Sequence, residues 1–203
     1  MLGSLQKLLE GLVFIMAGVS SVTVMASPPA SIHDVNLKNF SYPFLENESV
    51  PDAVRWMPVA GTPVIDVKDG RHSFLSQDCG SPDNCPLLTL DKIQYADLAG
   101  IAGSVALVVT TYHSGGTATW QYIYVVAFRS GRPQVVAWLE TGSRAYQGLR
   151  RLSVERGDLV LSVNDPAKRE GDCCSSGTIT TRYRRQNGSF AQIGQAVTDD
   201  VPK

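Results

Sequence analysis

Residues Ser104–Thr141 read SVALVVTTY, HSGGTAT, WQYIYVVAF, RSGRP and QVVAWLET, three β-rich runs separated by two turn-forming clusters. In the first run Val105, Leu107, Val109 and Thr111 alternate with Ala106, Val108 and Thr110, so β-branched residues occupy both faces, which suits a pleated sheet and crowds a helix. In the second, Tyr122, Tyr124, Val126 and Phe128 share one face, with Gln121, Ile123, Val125 and Ala127 on the other. That large/small division marks the Tyr-bearing face as the candidate core. Ser130-Gly131-Arg132-Pro133 is a tight link in which Gly131 can take a positive φ and Pro133 opens the third strand without spoiling a ladder bond. The stretch predicts an antiparallel meander at the centre of an all-β fold, sandwich-like or an open barrel.

Outward from this centre the pattern continues. Val64–Val67 leads into Lys68-Asp69-Gly70-Arg71, an Asp-Gly hairpin signal; a strand is expected over Leu88–Asp97, and others over Leu149–Val154, Leu159–Val163, Thr178–Arg185 and Phe190–Ile193, the last pair joined by Asn187-Gly188. In Thr178–Arg185, Thr178, Thr180, Arg182 and Arg184 form a wet face. Asn39-Phe40-Ser41-Tyr42-Pro43-Phe44 places three aromatics on one side, and Pro43 confines it to an edge strand or a docked arm. The expected organisation is a signal segment over 1–26, an extended arm over 27–60, a β domain over 61–194 and a loose tail over 195–203.

The first 26 residues differ in kind from the rest. Lys7 precedes an apolar run from Leu12 to Met25, and Val24-Met25-Ala26 closes it with residues a signal peptidase accepts. A cleaved signal helix and a periplasmic or secreted location follow as expectations; membrane attachment would require that this segment stay uncleaved as an anchor. The remaining 177 of 203 residues suffice to bury roughly 70 percent of the unfolded surface. Residues 27–100 carry 5 Lys or Arg against 10 Asp or Glu, and 101–203 carry 12 against 8. The two parts can complement each other or present opposite charge to a partner. Basic residues are not densely interleaved with aromatics, so nucleic acid is not expected as a partner.

All four cysteines, Cys79, Cys85, Cys173 and Cys174, follow the signal segment, and an even count in an oxidising compartment favours disulfides over metal. Three pairings exist. Cys79–Cys85 closes a short Gly- and Pro-containing loop, worth about 2 kcal/mol in the chain-entropy account, and leaves Cys173 to Cys174; the two cross-pairings close longer loops and stabilise more. Neighbouring Cα atoms lie about 3.8 Å apart, below the usual disulfide separation of roughly 4.4–6.8 Å, so a vicinal bond needs a distorted turn. The doubled cysteine therefore reads either as a staple of the loop Asn164–Gly177 or as a redox-sensitive or ligand-facing pair.

NFSYPF, VKDGRHSF, YADLAGIAGSVALVV, HSGG, YIYVVAF, TGSRAYQGLR, GDLVLSV, GDCCSSGTITTRYRR and NGSF together resemble a group of uncharacterised bacterial exported proteins, and are distantly similar to the LppP/LprE type of mycobacterial lipoprotein. The resemblance covers roughly residues 39–194, and its most specific element is the doubled cysteine before the TRYR-like strand. It implies export but no activity. The acidic turn such proteins carry near Tyr95–Val105 is reduced here to Asp97 and Gly100, with Ala99, Ile101 and Ser104 where oxygen ligands would stand, and one carboxylate does not hold a hard cation.

No G-x-S-x-G, H-E-x-x-H, phosphate loop or dinucleotide fingerprint occurs, and neither catalytic residues, a metal nor a cofactor are assigned. His113-Ser114-Gly115-Gly116 is the one constellation near the centre, and it can bring an imidazole, a hydroxyl and backbone N–H groups to one rim. Arg144 can bind an anion with its loop, or pair with a neighbouring carboxylate. The expected function is non-enzymatic binding of a protein or cell-envelope partner, through one sheet face or the loops His113–Thr119 and Asn164–Gly177. The alternative is a hydrolase or thiol-redox enzyme using His113 or Cys173/Cys174. His113 bonded to a hydroxyl and an acid in a cleft would favour the enzyme.

Overall fold

The computed structural model describes residues 30–45, 54–74, 85–115 and 119–201. The expected signal segment over 1–26, Cys79 and Gly116 lie outside these residues. Strands β5 (Leu87–Asp97), β6 (Ser104–His113), β7 (Thr119–Arg129) and β8 (Arg132–Glu140) form the antiparallel meander that the central stretch predicts. Short strands β4 (Arg71–Ser73) and β2 (Arg55–Met57) extend it at either edge, giving a six-stranded sheet of order β2-β8-β7-β6-β5-β4. Its β7–β8 turn is the two-residue Ser130-Gly131 link, both residues at positive φ, and Pro133 pairs with Phe128 near the strand's start.

The second sheet has the order β14-β13-β10-β9, from β9 (Leu149–Glu155), β10 (Asp158–Asn164), β13 (Gly177–Gln186) and β14 (Ser189–Gln192). The structure is an open all-β sandwich. Between the sheets, Val105, Leu107, Val109, Ile123, Val125, Ala127 and Leu139 of the first meet Leu152, Leu159, Leu161, Val163 and Phe190 of the second. Trp56 of β2 stacks on Phe190 with centroids 4.5 Å apart. The face opposite the tyrosines is thus a core in its own right.

The tyrosine face is covered by a third layer, made from the N-terminal arm. Strand β1 (Phe40–Pro43) pairs with β3 (Val64–Val67) in a separate two-stranded ladder, so the segment NFSYPF docks as an arm rather than joining either large sheet. Ile32, Leu37, Tyr42, Phe44 and Val67 pack on Ala106, Val108, Tyr112, Trp120, Tyr122, Tyr124, Val126 and Trp138. Tyr42 lies 4.8 Å from Tyr124, which stacks on Trp138 at 5.5 Å, and Phe44 meets Tyr112 and Tyr122 at 5.1 and 5.5 Å. These are favourable offset or edge-on aromatic separations. The Asp69-Gly70 turn forms, but its two strands leave it for different sheets, β3 to β1 and β4 to β5.

At the other end of the chain the expected loose tail contains a strand. β15 (Val197–Asp200) pairs with Gly177–Thr180 of β13, beyond the reach of β14, which pairs with Tyr183–Gln186. Ion pairing among the described residues does little to join the acidic and basic parts. Of the pairs Arg55–Glu140, Lys168–Asp200, Arg182–Glu155, Arg182–Asp158 and Arg184–Asp158, only the first crosses between them, and there the cation comes from the acidic part.

Two measurements test this layering. Trp138 is fully buried and donates its indole N–H to the Pro58 carbonyl at 2.9 Å. Trp138→Ala should lower the unfolding free energy in urea by about 3–5 kcal/mol. Burial pushes the phenols of Tyr42, Tyr122 and Tyr124 well above their ordinary value, with Tyr95, Glu140 and Tyr42 respectively adding like-charge repulsion. The folded state therefore holds these protons more tightly than the unfolded chain. These phenols leave stability unchanged below about pH 10 and lower it above, and in a spectrophotometric titration they ionise only as the protein unfolds.

Candidate functional site

Three loops meet at one end of the sandwich: the β6–β7 hairpin after His113, the segment Gly142–Gly148 between β8 and β9, and the segment Asp165–Ser176 between β10 and β13. The Thr119 N–H donates to Ser143 Oγ at 3.1 Å, tying the hairpin to the second loop. The Asn164 side chain donates to the Arg144 carbonyl at 2.6 Å and its backbone N–H to the Gly148 carbonyl at 3.0 Å, tying the second loop to the third. Gln121, on the core face of β7, accepts the Leu149 N–H at 2.8 Å and sets the height of the second loop against the first sheet.

The Gly142–Gly148 loop is wound tightly. The Tyr146 N–H donates to the Ser143 carbonyl at 2.9 Å, Gly148 to Arg144 at 3.0 Å and Gly142 to Gln147 at 3.1 Å. A Cβ on Gly142 would lie 1.7 Å from the Tyr146 carbonyl oxygen, and one on Gly148 2.6 Å from that of Arg144, so no side chain fits at either position. Ala145, between them, is fully buried. A β-bulge opposite Ser162 and Val163, which places Arg150 out of register, lies at the start of β9 just after this loop.

Among the described residues, six non-glycine residues have positive φ: Asp69, Ser130, Arg144, Gln147, Arg156 and Asn187. Four of them, Asp69, Ser130, Arg156 and Asn187, are followed by a glycine that also has positive φ, the pattern of a two-residue hairpin turn. Arg144 also opens a two-residue turn, closed by the antiparallel Ser143–Tyr146 bridge but without a following glycine at positive φ, so of the six only Gln147, in the same loop, lies outside such a turn. Left-handed backbone at ordinary residues outside such turns concentrates where the surrounding structure enforces it, commonly at sites of function.

The third loop begins with a short 3-10 turn, Pro166–Lys168, capped by Asp165, whose carboxylate accepts the Ala167 N–H at 2.9 Å. Strands β11 (Arg169–Glu170) and β12 (Cys174–Ser175) then form a miniature hairpin. The buried Ser175 hydroxyl donates to the Asp165 carbonyl at 2.7 Å, and Lys168 reaches Asp200 of β15 at 2.7 Å. Arg169 lies 4.9 Å from the centroid of the Tyr146 ring and donates to its hydroxyl, which in turn donates to Asp172 Oδ1 at 3.3 Å. Between the two loops is a pocket of about 370 Å³ lined by Tyr146, Gln147, Pro166, Ala167 and Arg169. That is within the range of roughly 300–1,000 Å³ usual for small-ligand sites.

Of the residues singled out from the sequence, His113, Ser114, Gly115 and Arg144 are at this end of the molecule, joined through Thr119 and Ser143. They do not form one cluster of side chains. No described hydroxyl or carboxylate hydrogen-bonds the His113 ring, so the geometry set for the enzyme reading is not met by the described residues. Arg144 is exposed and pairs with no carboxylate among them. No group of three or more His, Cys, Asp or Glu among the described residues is placed to hold a metal ion.

Cys173 and Cys174 are bonded to each other with their Cα atoms 3.7 Å apart, which removes both cross-pairings. Cys85 is disulfide-bonded and 6 percent exposed, and its partner lies outside the described residues. Residues 146 and 147 were not singled out from the sequence, and residue 169 was reached only as part of the candidate binding loop 164–177, because the pocket arises only when two loops about twenty residues apart are laid side by side by β9 and β10. The glycines at 142 and 148, bracketing RAYQ, were the available sign of a tightly wound loop.

Comparison with protein-family models, with curated proteins and with solved structures finds no match. The fold and site define an open β-sandwich whose loops build a small pocket at one end. No helix among the described residues is long and apolar enough to cross a membrane.

Exposure separates the two disulfides. A mild reductant followed by alkylation of the folded protein should label Cys173 and Cys174, both exposed, and leave Cys85 unlabelled until denaturant is added. Mass mapping reads the result; thiols that appear only on unfolding would dismiss any redox-responsive role for the vicinal pair.

Proposed function

We propose that this chain is an exported, non-enzymatic binding domain that engages a cell-envelope or extracellular partner through the loop end of its sandwich. The observation that carries this reading is the tight winding of the Gly142–Gly148 loop, which presents an exposed Arg144 from the two-residue turn of the Ser143–Tyr146 bridge and holds Gln147 at positive φ beside it. A loop held this firmly meets a partner with little ordering left to do, which is how preorganisation raises affinity. The exposed guanidinium of Arg144, free of any described carboxylate, suits an anionic or acceptor-rich partner. Export rests on the apolar N-terminal run and on the resemblance to bacterial exported proteins and LppP/LprE-type lipoproteins.

The test uses the conformation itself. Arg144→Gly supplies the residue that left-handed backbone favours, so stability should stay within about 1 kcal/mol of the parent while the charged side chain is lost. Co-purification of the mature chain with an envelope fraction should fall at least tenfold in this variant. Equal recovery by both chains would place the contact elsewhere and end the assignment to this loop.

A further inference from the structure

Resting on the binding-domain reading, we propose that the Cys173–Cys174 bond is a thiol-exchange site whose reduction by a dithiol loosens the Gly142–Gly148 loop and turns partner binding down. The two cysteines are adjacent and bonded to each other, so the bond closes no loop and ties no two parts of the fold together, whereas a structural disulfide stabilises mainly by closing a long stretch of chain. The base of its own loop is held without it. The Ser175 hydroxyl lies 2.7 and 2.9 Å from the Asp165 and Gly177 carbonyls, and the Ser176 N–H donates to the Lys168 carbonyl at 3.0 Å. Asp200 accepts from Lys168 and the Val201 N–H donates to the Ser176 carbonyl, each at 2.7 Å.

What the bond holds is the tip. Gly171, Asp172 and Cys173 turn the chain from β11 into β12, with Gly171 at φ +78°, and the bond spans the last residue of that turn and the first of the strand. β11 and β12 share only two residue pairs, Arg169 with Ser175 and Glu170 with Cys174, and a ladder so short does not fix its turn by itself. Asp172 sits in this turn and reaches the neighbouring loop. Its carbonyl accepts the Ala145 N–H at 3.5 Å, and its carboxylate accepts the Tyr146 hydroxyl at 3.3 Å. Ala145 is fully buried and follows Arg144 directly. A turn that changes shape at Cys173 therefore takes the Asp172 carbonyl, one residue away, off the loop that presents Arg144.

Both cysteines are exposed, so a thiolate can reach their sulfurs, whereas Cys85 is buried and does not offer its own. Attack breaks the Sγ–Sγ bond and joins the incoming sulfur to one cysteine as a mixed disulfide, and the other cysteine leaves as a thiolate that takes a proton. The donor's second thiol then displaces the mixed disulfide. Two electrons and two protons pass to the pair, and the dithiol departs as a disulfide. With the bond open, Ala145 loses its partner across the gap, and more of the loop has to be ordered at the moment of binding.

Amide hydrogen exchange on the full mature chain, oxidised and after dithiothreitol at a level that leaves Cys85 bonded, tests the coupling. The Ala145 N–H should exchange at least tenfold faster after reduction, while the Ser176 and Val201 N–H groups keep the same rate in both states, and reoxidation should restore the slow rate. Recovery of the envelope partner should fall at least threefold with reduction. Cys173→Ser combined with Cys174→Ser, which cannot form the bond, should match the reduced chain without any reductant. An Ala145 rate indifferent to reduction, a loss of protection that spreads to Ser176 and Val201, or undiminished recovery by the reduced chain of a partner that the oxidised chain binds overturns the proposal. If neither state recovers a partner, the binding-domain reading falls and with it the effect on binding, while the Ala145 rate still decides whether the bond controls the loop. If the oxidised chain recovers its partner and Arg144→Gly does not, but reduction changes neither the rate nor the recovery, this inference falls and the binding-domain reading stands.

Discussion

Everything in this structure depends on the burial of one sheet from both sides. Strands β6 and β7 contribute Val105, Leu107, Ile123 and Val125 to the interior between the sheets and Ala106, Val108, Tyr122 and Tyr124 to the interior beneath the arm, and each of these side chains is fully buried. A strand with two dry faces has no register it can slip to without exposing a core. The meander is consequently fixed, and with it the positions at which β8 and β9 release the loop between them. Large aromatic side chains on one face and aliphatic ones on the other give the two interiors different character. The aromatic interior is closed by a light arm, the aliphatic one by a complete second sheet.

Charge follows the same logic of placement. Glu140, fully buried, receives both Nε and Nη2 of Arg55 at 2.9 and 2.7 Å where β2 meets β8, at the strand end that feeds the pocket loop. A buried carboxylate that lost such a partner would be strongly unfavourable, so this pair pins the strand's end rather than adding much net stability. On the outer face of the second sheet Asp158 is held by Arg184 and Arg182, whose hydrogen bonds and charge keep its carboxyl below the ordinary range. Those two arginines are neutralised where they stand.

The meander, its turns and the second sheet's strands were legible in the sequence because each rests on local pattern: alternation in 120–128, Ser130-Gly131, Asp69-Gly70 and Asn187-Gly188. The docking of NFSYPF was legible for the same reason, through Pro43 and three aromatics in alternation. What covers the aliphatic face of β7 was not, since period-2 alternation cannot say which of two apolar faces is the interior when both are. β15 was missed because Val197-Thr198-Asp199-Asp200 is polar and exposed, and it is ordered by pairing with Gly177–Thr180, not by burial. Arg144 and the doubled cysteine stood out from composition alone. Tyr146, Gln147 and Arg169 did not, because ordinary residue types acquire meaning only from the backbone that carries them and the neighbour across the gap.

That late strand has a consequence for assembly. Lys168, at the base of the pocket's third loop, is anchored by Asp200, and the Val201 N–H donates to the Ser176 carbonyl at 2.7 Å. Residues 197–201 therefore act as a clasp on a loop whose own residues come thirty positions earlier. A chain delivered from its N-terminal end has both sheets in hand before that clasp arrives, so the scaffold is finished first and the loop end last.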